Sequence, residues 1–218
     1  MRLNRIALIA VTAAAAMAGL SAPSVAQDRV TESRDLSDFD SIELRGAADL
    51  TIRTGEAFAV TIEARDGTLE RLDTRVRDGR LVIDLDTAGH WNARRDDLDI
   101  TIGLPALKDL TVDGAADVDL TAPAANALAI TINGAADVAG RGSCDTFAVT
   151  INGAGDIDMQ ALECKSVAVT INGAGDATVY ASASVDAAIN GVGDIDVYGN
   201  PKTVSRSSGM LGSISIHQ

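Results

Sequence analysis

The sequence predicts an all-β fold: a right-handed parallel β-helix, or β-solenoid, with coils of about 18–20 residues and an N-terminal β cap. A segment built around a glycine corner recurs five times, with spacings of 20, 19, 20 and 18 residues between the glycines. Apolar residues alternate with polar ones on both sides of each corner, which indicates strands with one buried face. Only 3% of the residues are aromatic, which is typical of a narrow interior made of thin stacked layers.

The first 26 residues have the pattern of a secretory signal peptide. Arg2 and Arg5 form a short basic start, residues 6–20 are apolar, and residues 24–26 supply small side chains before a cleavage point. A membrane anchor is the alternative, but an apolar run of about 15 residues is shorter than the roughly 20 that a spanning helix needs. We therefore expect an exported protein that begins at Gln27 and carries no transmembrane segment. It would be periplasmic, associated with the outer envelope, or secreted.

The region before the repeats is predicted to be β-structure of a less regular kind. Residues 27–38 are expected to form a linker and residues 39–106 an N-terminal β region. Alternating apolar residues predict strands at 58–64, 81–85 and 98–102. Because the open end of a solenoid exposes its core and its sheet edges, this region is expected to form a sandwich-like cap. The cap would be continuous with the repeats as one domain of residues 39–216.

Residues 107–218 contain the repeats and are predicted to form the solenoid. A unit of about 20 residues with two or three short strands cannot enclose a core, so it buries its apolar face against the next unit, at a spacing of about 4.8 Å. We therefore expect Ile132, Ile151, Ile171 and Ile189 to form one internal column. A degenerate polar copy around Gly209 would cap the C-terminal end, and a related segment, IELRGAADLTI, lies far upstream around Gly46.

The corners combine glycine with a preceding asparagine in most copies. A glycine at one position of every copy indicates a backbone that needs either a positive φ or a close approach. Asparagine side chains stacked at successive corners can hydrogen-bond along the stack. These positions are interpreted as structural; they are Gly114, Gly134, Gly153, Gly173 and Gly191, with Asn133, Asn152, Asn172 and Asn190.

Several phrases of the sequence resemble one known family. They are FDSIELRGAADLTI, DITIGLPALKDLTVDGAADV, the recurring INGAGD box and YGNPKTVSRSSGMLGSI, which together extend over residues 39–214. They are similar to the putative auto-transporter adhesin family, head GIN domain. The resemblance implies an exported β-helical domain, and the family provides no catalytic residues to transfer to this chain.

The charge of the chain limits its partners. Removal of residues 1–26 takes away Arg2 and Arg5, so the net charge of −13 becomes −15. Such an acidic protein should be repelled by nucleic acid and by anionic lipid surfaces. An envelope glycan or protein is the expected partner.

The acidic residues do not have the pattern of a catalytic pair. Two catalytic carboxylates need different environments, whereas these aspartates recur at one offset of the repeat. Neighbouring carboxylates about 5 Å apart repel by about 1 kcal/mol in water, and calcium would relieve that repulsion. The alternative is a row of solvated carboxylates. We expect no catalytic residues, no cofactor and no metal; a calcium site, if present, would use Asp137, Asp156 and Asp176.

Two further features stand apart from the repeat pattern. His90, Trp91, Arg94 and Arg95 form a possible binding patch, because Trp with Arg is common at recognition surfaces; a Trp packed against the cap is the alternative. Cys144 and Cys164 each lie nine residues before a corner glycine. Stacking would place their Cα atoms about 4.8 Å apart, which a disulfide tolerates. A stacked pair of free thiols is the alternative.

Three functions are compatible with these observations. The favoured one is an exported, non-catalytic envelope protein with an adhesin-like β-solenoid head that has a structural or binding role. The second is a periplasmic ligand-binding or regulatory module, which an aromatic-lined groove would favour. The third is a β-helical polysaccharide-active enzyme, which the periodic acids disfavour.

Overall fold

The computed structural model of the protein describes residues 29–65, 67–85 and 98–217, and this part of the chain is all-β. Its single helical segment is a 3-10 turn at Leu69–Arg71, and no helix in it is long and apolar enough to cross a membrane. The predicted signal peptide, residues 1–26, lies outside the described residues. The strands are β1 (Arg29–Arg34), β2 (Ser41–Thr54), β3 (Ala59–Arg65), β4 (Leu72–Arg77), β5 (Arg80–Leu85), β6 (Leu98–Leu104), β7 (Asp109–Ile132), β8 (Ala135–Ile151), β9 (Ile157–Ile171), β10 (Ala177–Ile189), β11 (Gly193–Tyr198), β12 (Thr203–Ser208) and β13 (Gly212–Ile216).

The strands of the repeats pair in parallel, in the order β2-β7-β8-β9-β10-β11-β13, with β12 beside β10. Equivalent positions of successive repeats are direct partners, as when Val149 of β8 pairs with Val169 of β9. Parallel pairing at equivalent positions places the apolar face of every repeat on the same side, where it forms a continuous core.

The predicted internal isoleucine column is present. Ile151 pairs with Ile132 on one side and with Ile171 on the other, and Ile171 pairs with Ile189. All four side chains are at most 2% exposed. Full burial of an aliphatic side chain of this size stabilises the fold by about 1.5–3 kcal/mol. The alternation in the sequence therefore correctly identifies the buried face of these strands.

The upstream segment around Gly46 lies next to the first repeat in space. Strand β2 pairs with β7 in unbroken parallel register from Ser41 with Asp109 to Arg53 with Thr121, and Gly46 pairs with Gly114. The two strands are separated in sequence by β3 to β6. The Gly46 segment therefore forms the layer that precedes the first repeat in the parallel stack.

The sheet is mixed and not purely parallel, because the N-terminal region adds antiparallel strands to it. Strands β5 and β6 pair in parallel with β2, but β4 pairs antiparallel with β5, β3 with β6, and β1 with β3. Short turns such as the one at Asp78 and Gly79 reverse the chain here, and an immediate reversal can only produce antiparallel neighbours. Both residues have positive φ, 51° and 75°, as such a turn requires.

The predicted strands of this region agree with the structure within two residues, but the linker does not. Residues 29–34, expected to lie in a linker, form β1, and Arg29 pairs with Arg65 at one end of its antiparallel ladder with β3. The pairing satisfies the backbone groups along the outer edge of β3, which would otherwise be open. Strand β4 was likewise not predicted from the sequence.

The last repeat differs from the others in both register and burial. Ser208 pairs with Ile189, so Gly209 is equivalent to Asn190 and not to Gly191, one residue away from the position expected. All six side chains of β12 are exposed, and Arg206 follows Ala187 at an otherwise apolar position. Two internal columns thus end in a polar residue on β12, with Arg206 after Ala187 and Ser208 after Ile189, whereas the column of Val185 ends in Val204.

Candidate functional site

The corner glycines are required by the close approach of successive repeats. A Cβ atom on any of the five corner glycines would lie well inside 3.0 Å of the carbonyl oxygen of the preceding corner glycine, with Gly46 preceding Gly114. None of these five has a positive φ in the left-handed region. Of the two explanations that the sequence left open, the structure therefore supports close approach.

A ladder of asparagine side chains runs beside the corners. Nδ2 of Asn152 donates to Oδ1 of Asn133, and the same bond joins Asn172 to Asn152 and Asn190 to Asn172, each at 2.8 Å. At the N-terminal end, Asn133 donates to Asp113 at 2.6 Å. Each of these amides occupies one layer of the stack and bonds to its neighbour, which is the arrangement expected for a structural role.

The aspartate column is also a hydrogen-bonded ladder. Oδ1 of Asp137 accepts from the backbone N–H of Asp156 at 3.4 Å, Asp156 accepts from Asp176 at 3.1 Å, and Asp176 accepts from Asp194 at 2.7 Å. These carboxylates therefore bond to the backbone of the next layer. Among the described residues, no group of three carboxylate, imidazole or thiol side chains is placed to share a metal ion.

The aspartate column forms one side of a shallow acidic groove of about 610 Å³. Apolar residues such as Val138 and Ile157 lie between its acidic rows and are almost fully buried. Its rows of side chains are acidic, but most of the exposed atoms that line it are apolar. The acidic residues of the groove are Asp49, Asp117, Asp119, Asp137, Asp156, Asp158 and Asp176.

The predicted disulfide is confirmed. Cys144 and Cys164 are direct partners in the pairing of β8 with β9, and a disulfide joins them with their Cα atoms 4.5 Å apart. Both residues are buried, at 6% and 1% exposure. The bond connects two successive layers of the stack at the corner opposite the glycines.

This opposite corner, called the bulge corner below, comprises residues 120–126, 139–145, 158–165 and 178–184. Register shifts in the repeat pairings occur here, between Ala122 and Ala125 and between Val179 and Tyr180, for example. A groove of about 420 Å³ lies along it. The groove is lined by Ala124, Ala125, Asn126, Ser143, Cys144, Asp145, Glu163, Lys165, Tyr180 and Ser182.

The aromatic residues at this corner were not identified from the sequence. Tyr180 pairs with Tyr198 in the next layer, and the Tyr198 ring stacks on His217 with centroids 4.6 Å apart and planes 18° apart. These are the only two tyrosines of the chain. Their spacing of 18 residues matches the repeat, and this was the signal that could have placed them in one column. The predicted patch of His90, Trp91, Arg94 and Arg95 lies outside the described residues.

Two ion pairs at the N-terminal end of the stack each shift the pKa of one partner, and the pair of Lys108 with Asp40 also joins neighbouring layers. Lys108 Nζ donates to the Asp40 carboxylate, and this hydrogen bond holds the pKa of Asp40 below its ordinary value. The backbone N–H of Lys108 also donates to the Asp40 carbonyl oxygen at 2.7 Å. Within β2, Arg45 donates to Glu43 at 2.6 Å, which raises the pKa of Arg45. Neither ion pair lines the bulge-corner groove.

Comparison with known proteins identifies relatives that match most of the chain. The family model described as putative auto-transporter adhesin, head GIN domain, matches residues 38–201. The structure is similar to that of a putative adhesin from Bacteroides fragilis, with 22% identity, a TM-score of 0.67 and coverage of 88% of this chain and 98% of that chain. It is also similar to a putative lipid binding protein from Parabacteroides distasonis, with 20% identity, a TM-score of 0.50 and coverage of 88% and 97%. At these identities the similarity shows the fold alone. The sequence matches none of the curated proteins with which it was compared.

Proposed function

The chain belongs to the putative auto-transporter adhesin family, head GIN domain, and from this membership we propose that it is an exported, non-catalytic protein of the cell envelope. In this proposal the repeats wind as a right-handed β-solenoid, a rigid rod that presents its outer faces to a partner. The observation that carries the proposal is the parallel pairing of strands from β2 through β13, in which equivalent residues of successive repeats are partners except at local register shifts.

Rigidity of the rod is supported by three different kinds of cross-link between layers. The asparagine ladder, the aspartate ladder and the Cys144–Cys164 disulfide each join one repeat to the next. A stack stabilised between nearest neighbours in this way presents the loops of every layer at a fixed spacing. Such a scaffold suits a binding or structural role, because contacts on one face can be repeated along its length.

A non-catalytic role is supported by the chemistry of the aspartate column. Catalytic pairs of carboxylates need environments that separate their pKa values. Asp137, Asp156 and Asp176 share one environment, in which each accepts a backbone N–H from the next repeat. Their recurrence therefore has a structural explanation.

Export is supported by the cysteines and by the family. Disulfides persist in oxidising compartments and are rare in the cytosol, and Cys144 and Cys164 form one here. The adhesin-like family is likewise consistent with an exported or cell-surface protein. The proposed location is the periplasm, the outer envelope or the surrounding medium.

The test of this function follows export and binding in one preparation. The full chain and a variant without residues 1–26 would be expressed in a Gram-negative host, and cytoplasm, periplasm, envelope and medium would be separated. We expect the full chain outside the cytoplasm with no free thiols, and the shortened chain in the cytoplasm with two. The exported protein, labelled with a fluorophore, should then bind isolated cell envelopes in a saturable manner. A full chain that stays reduced in the cytoplasm, or envelope binding that does not saturate, would contradict the proposal.

The second candidate is a periplasmic ligand-binding module, and the groove at the bulge corner favours it. At about 420 Å³ this groove falls within the range of about 300–1,000 Å³ that is usual for small-molecule sites. A module of this kind would bind one small ligand and would show no saturable binding to envelopes. The envelope-binding measurement therefore distinguishes the two candidates.

A further inference from the structure

One outward column of the stack departs from the repetition that governs the others. In the corner columns the same residue recurs, because every layer has the same geometry. At the bulge corner, by contrast, Ser143 pairs with Glu163, Glu163 with Tyr180, and Tyr180 with Tyr198. His217 continues the column, with its backbone N–H bonded to Val197 and its ring on Tyr198. The shared backbone pattern of the repeats does not explain why the residue type changes from layer to layer in this column.

The backbone is also irregular at this corner. Register shifts interrupt the pairing between Ala122 and Ala125, between Ala139 and Arg141, between Val179 and Tyr180, and between Ala181 and Ser184. Among the described strands, the register shifts of the sheet are confined to this corner. Bulges redirect side chains and are over-represented beside functional sites, whereas the glycine corner keeps an even register.

The Tyr180 ring forms one wall of the groove and is supported from behind. Its other side packs closely on Gly199, where an added Cβ would lie 2.9 Å from the ring atoms Cε1 and Cζ. Tyr198 and His217 follow in later layers and do not line the groove, whose remaining walls come from Ser182 and from earlier repeats. Tyr180 therefore has a fixed position and is half-buried at the boundary of the groove.

The rest of the lining is polar and can both donate and accept hydrogen bonds. Lys165 Nζ lies 2.6 Å from Asp145, and both side chains are more than half exposed, so this ion pair is weak and can exchange partners. Glu163 supplies a second carboxylate, and Asn126 supplies a side-chain amide that donates and accepts. The buried Cys144–Cys164 disulfide lies beneath these groups and fixes the spacing of the two layers that carry them.

We propose that this groove binds a neutral glycan, with one sugar ring packed against the face of Tyr180. A pyranose ring has an apolar C–H face that suits an aromatic ring, and its rim of hydroxyls both donates and accepts hydrogen bonds. Glu163, Lys165 and Asn126 would bind those hydroxyls. Two carboxylates and one ammonium give the groove a net negative charge, which disfavours uronic acids and phosphorylated sugars. The inference rests on the proposed envelope-binding function and specifies the class of its partner.

The test uses the exported full chain and isothermal titration calorimetry with four soluble probes: cellotriose, maltotriose, N,N′,N″-triacetylchitotriose and, as the acidic comparison, trigalacturonate. We expect at least one of the neutral trisaccharides to bind and trigalacturonate not to bind. Tyr180→Ala should weaken that binding by about tenfold, because the stacking surface is lost. Tyr180→Phe, which keeps the ring, should bind within about twofold of the unchanged protein. Asp186→Ala, an exposed change on β10 outside both grooves, is the matched control and should have no effect.

The outcomes separate this inference from the function on which it rests. If none of the neutral trisaccharides binds, or if Tyr180→Ala binds as well as Asp186→Ala with an unchanged melting temperature, the groove is not the glycan site and the inference is wrong. Saturable binding of Tyr180→Ala to isolated envelopes at unchanged affinity would likewise reject the groove while leaving the envelope function intact. Loss of both trisaccharide and envelope binding in Tyr180→Ala alone would support both.

Discussion

A Cβ atom on Gly153 would overlap the carbonyl oxygen of Gly134, its partner position in the preceding repeat. The same overlap would occur at Gly173 with Gly153 and at Gly191 with Gly173. Each corner glycine therefore has no room for a side chain. Its own carbonyl oxygen in turn excludes a side chain from the corner of the next layer. A stack with this spacing accepts no residue other than glycine at these positions without moving two layers apart.

Gly153→Ala is accordingly expected to lower the free energy of unfolding by about 3 kcal/mol or more, because the new methyl group forces backbone atoms apart in the middle of the stack. Gly209→Ala is the matched control, since a Cβ there would lie 3.9 Å from the nearest atom, the Ile189 carbonyl oxygen. Urea unfolding followed by circular dichroism measures both. Equal stability of the two variants would show that the layers can separate at the corner with little energetic cost.

Removal of the disulfide by Cys144→Ala together with Cys164→Ala should lower the free energy of unfolding by about 3 kcal/mol. The bond closes a loop of about 20 residues, so its loss increases the entropy of the unfolded chain. The unchanged protein with the bond reduced is the control for the altered side chains. Two free thiols in the denatured, unreduced protein would contradict the disulfide itself.

Asn152→Ala removes two links of the asparagine ladder, the bond it donates to Asn133 and the one it accepts from Asn172. The expected loss is about 1–2 kcal/mol in the free energy of unfolding, because both bonds are solvent-exposed and each contributes a modest net amount. Asn126→Ala is the control, since its amide lies outside the ladder. Thermal unfolding of the two variants should separate them, and identical curves would assign the ladder no energetic role.

The Asp40–Lys108 pair should make part of the stability depend on pH. The hydrogen bond from Lys108 lowers the pKa of Asp40 from its ordinary 3.8, so the stabilisation is present above the unfolded-state pKa and is lost as pH falls through the folded-state pKa. Lys108→Met should therefore be less stable than the unchanged protein near neutral pH, and the difference should shrink between about pH 5 and pH 2. A difference that stays constant over this interval would exclude the ion pair as its cause.

Calcium should have only a small effect on the melting temperature. The carboxylates of Asp137, Asp156 and Asp176 already accept backbone N–H groups, and these residues do not form a three-ligand cluster. We expect a few millimolar calcium chloride to act no differently from magnesium chloride at equal ionic strength, through screening of the acidic rows. A calcium-specific rise that chelator reverses would instead identify the column as a calcium site.

The sequence by itself determined the features that repeat. A period of two identifies the buried face of a strand, and a period of about 20 identifies equivalent positions in successive layers, so the isoleucine column and the Cys144–Cys164 pair could be predicted. The tertiary structure decided which partner each strand has where the repetition fails. Alternation assigns a face but no neighbour, so the sequence could not show that β2 pairs with β7 across four intervening strands, or that β1 pairs antiparallel with β3.

The bulge-corner groove belongs to the part that only the tertiary structure decided. Register shifts at Tyr180 change which residues of β9 and β10 are opposite each other, so a fixed offset brings Cys144 to Cys164 but does not predict Glu163 beside Tyr180. The position of a side chain at such a bulge depends on the local backbone and on what packs behind it, which for Tyr180 is Gly199. Repetition in the sequence thus determines the regular ladders. Where the repeat register shifts, the positions of the side chains depend on the packing of neighbouring layers.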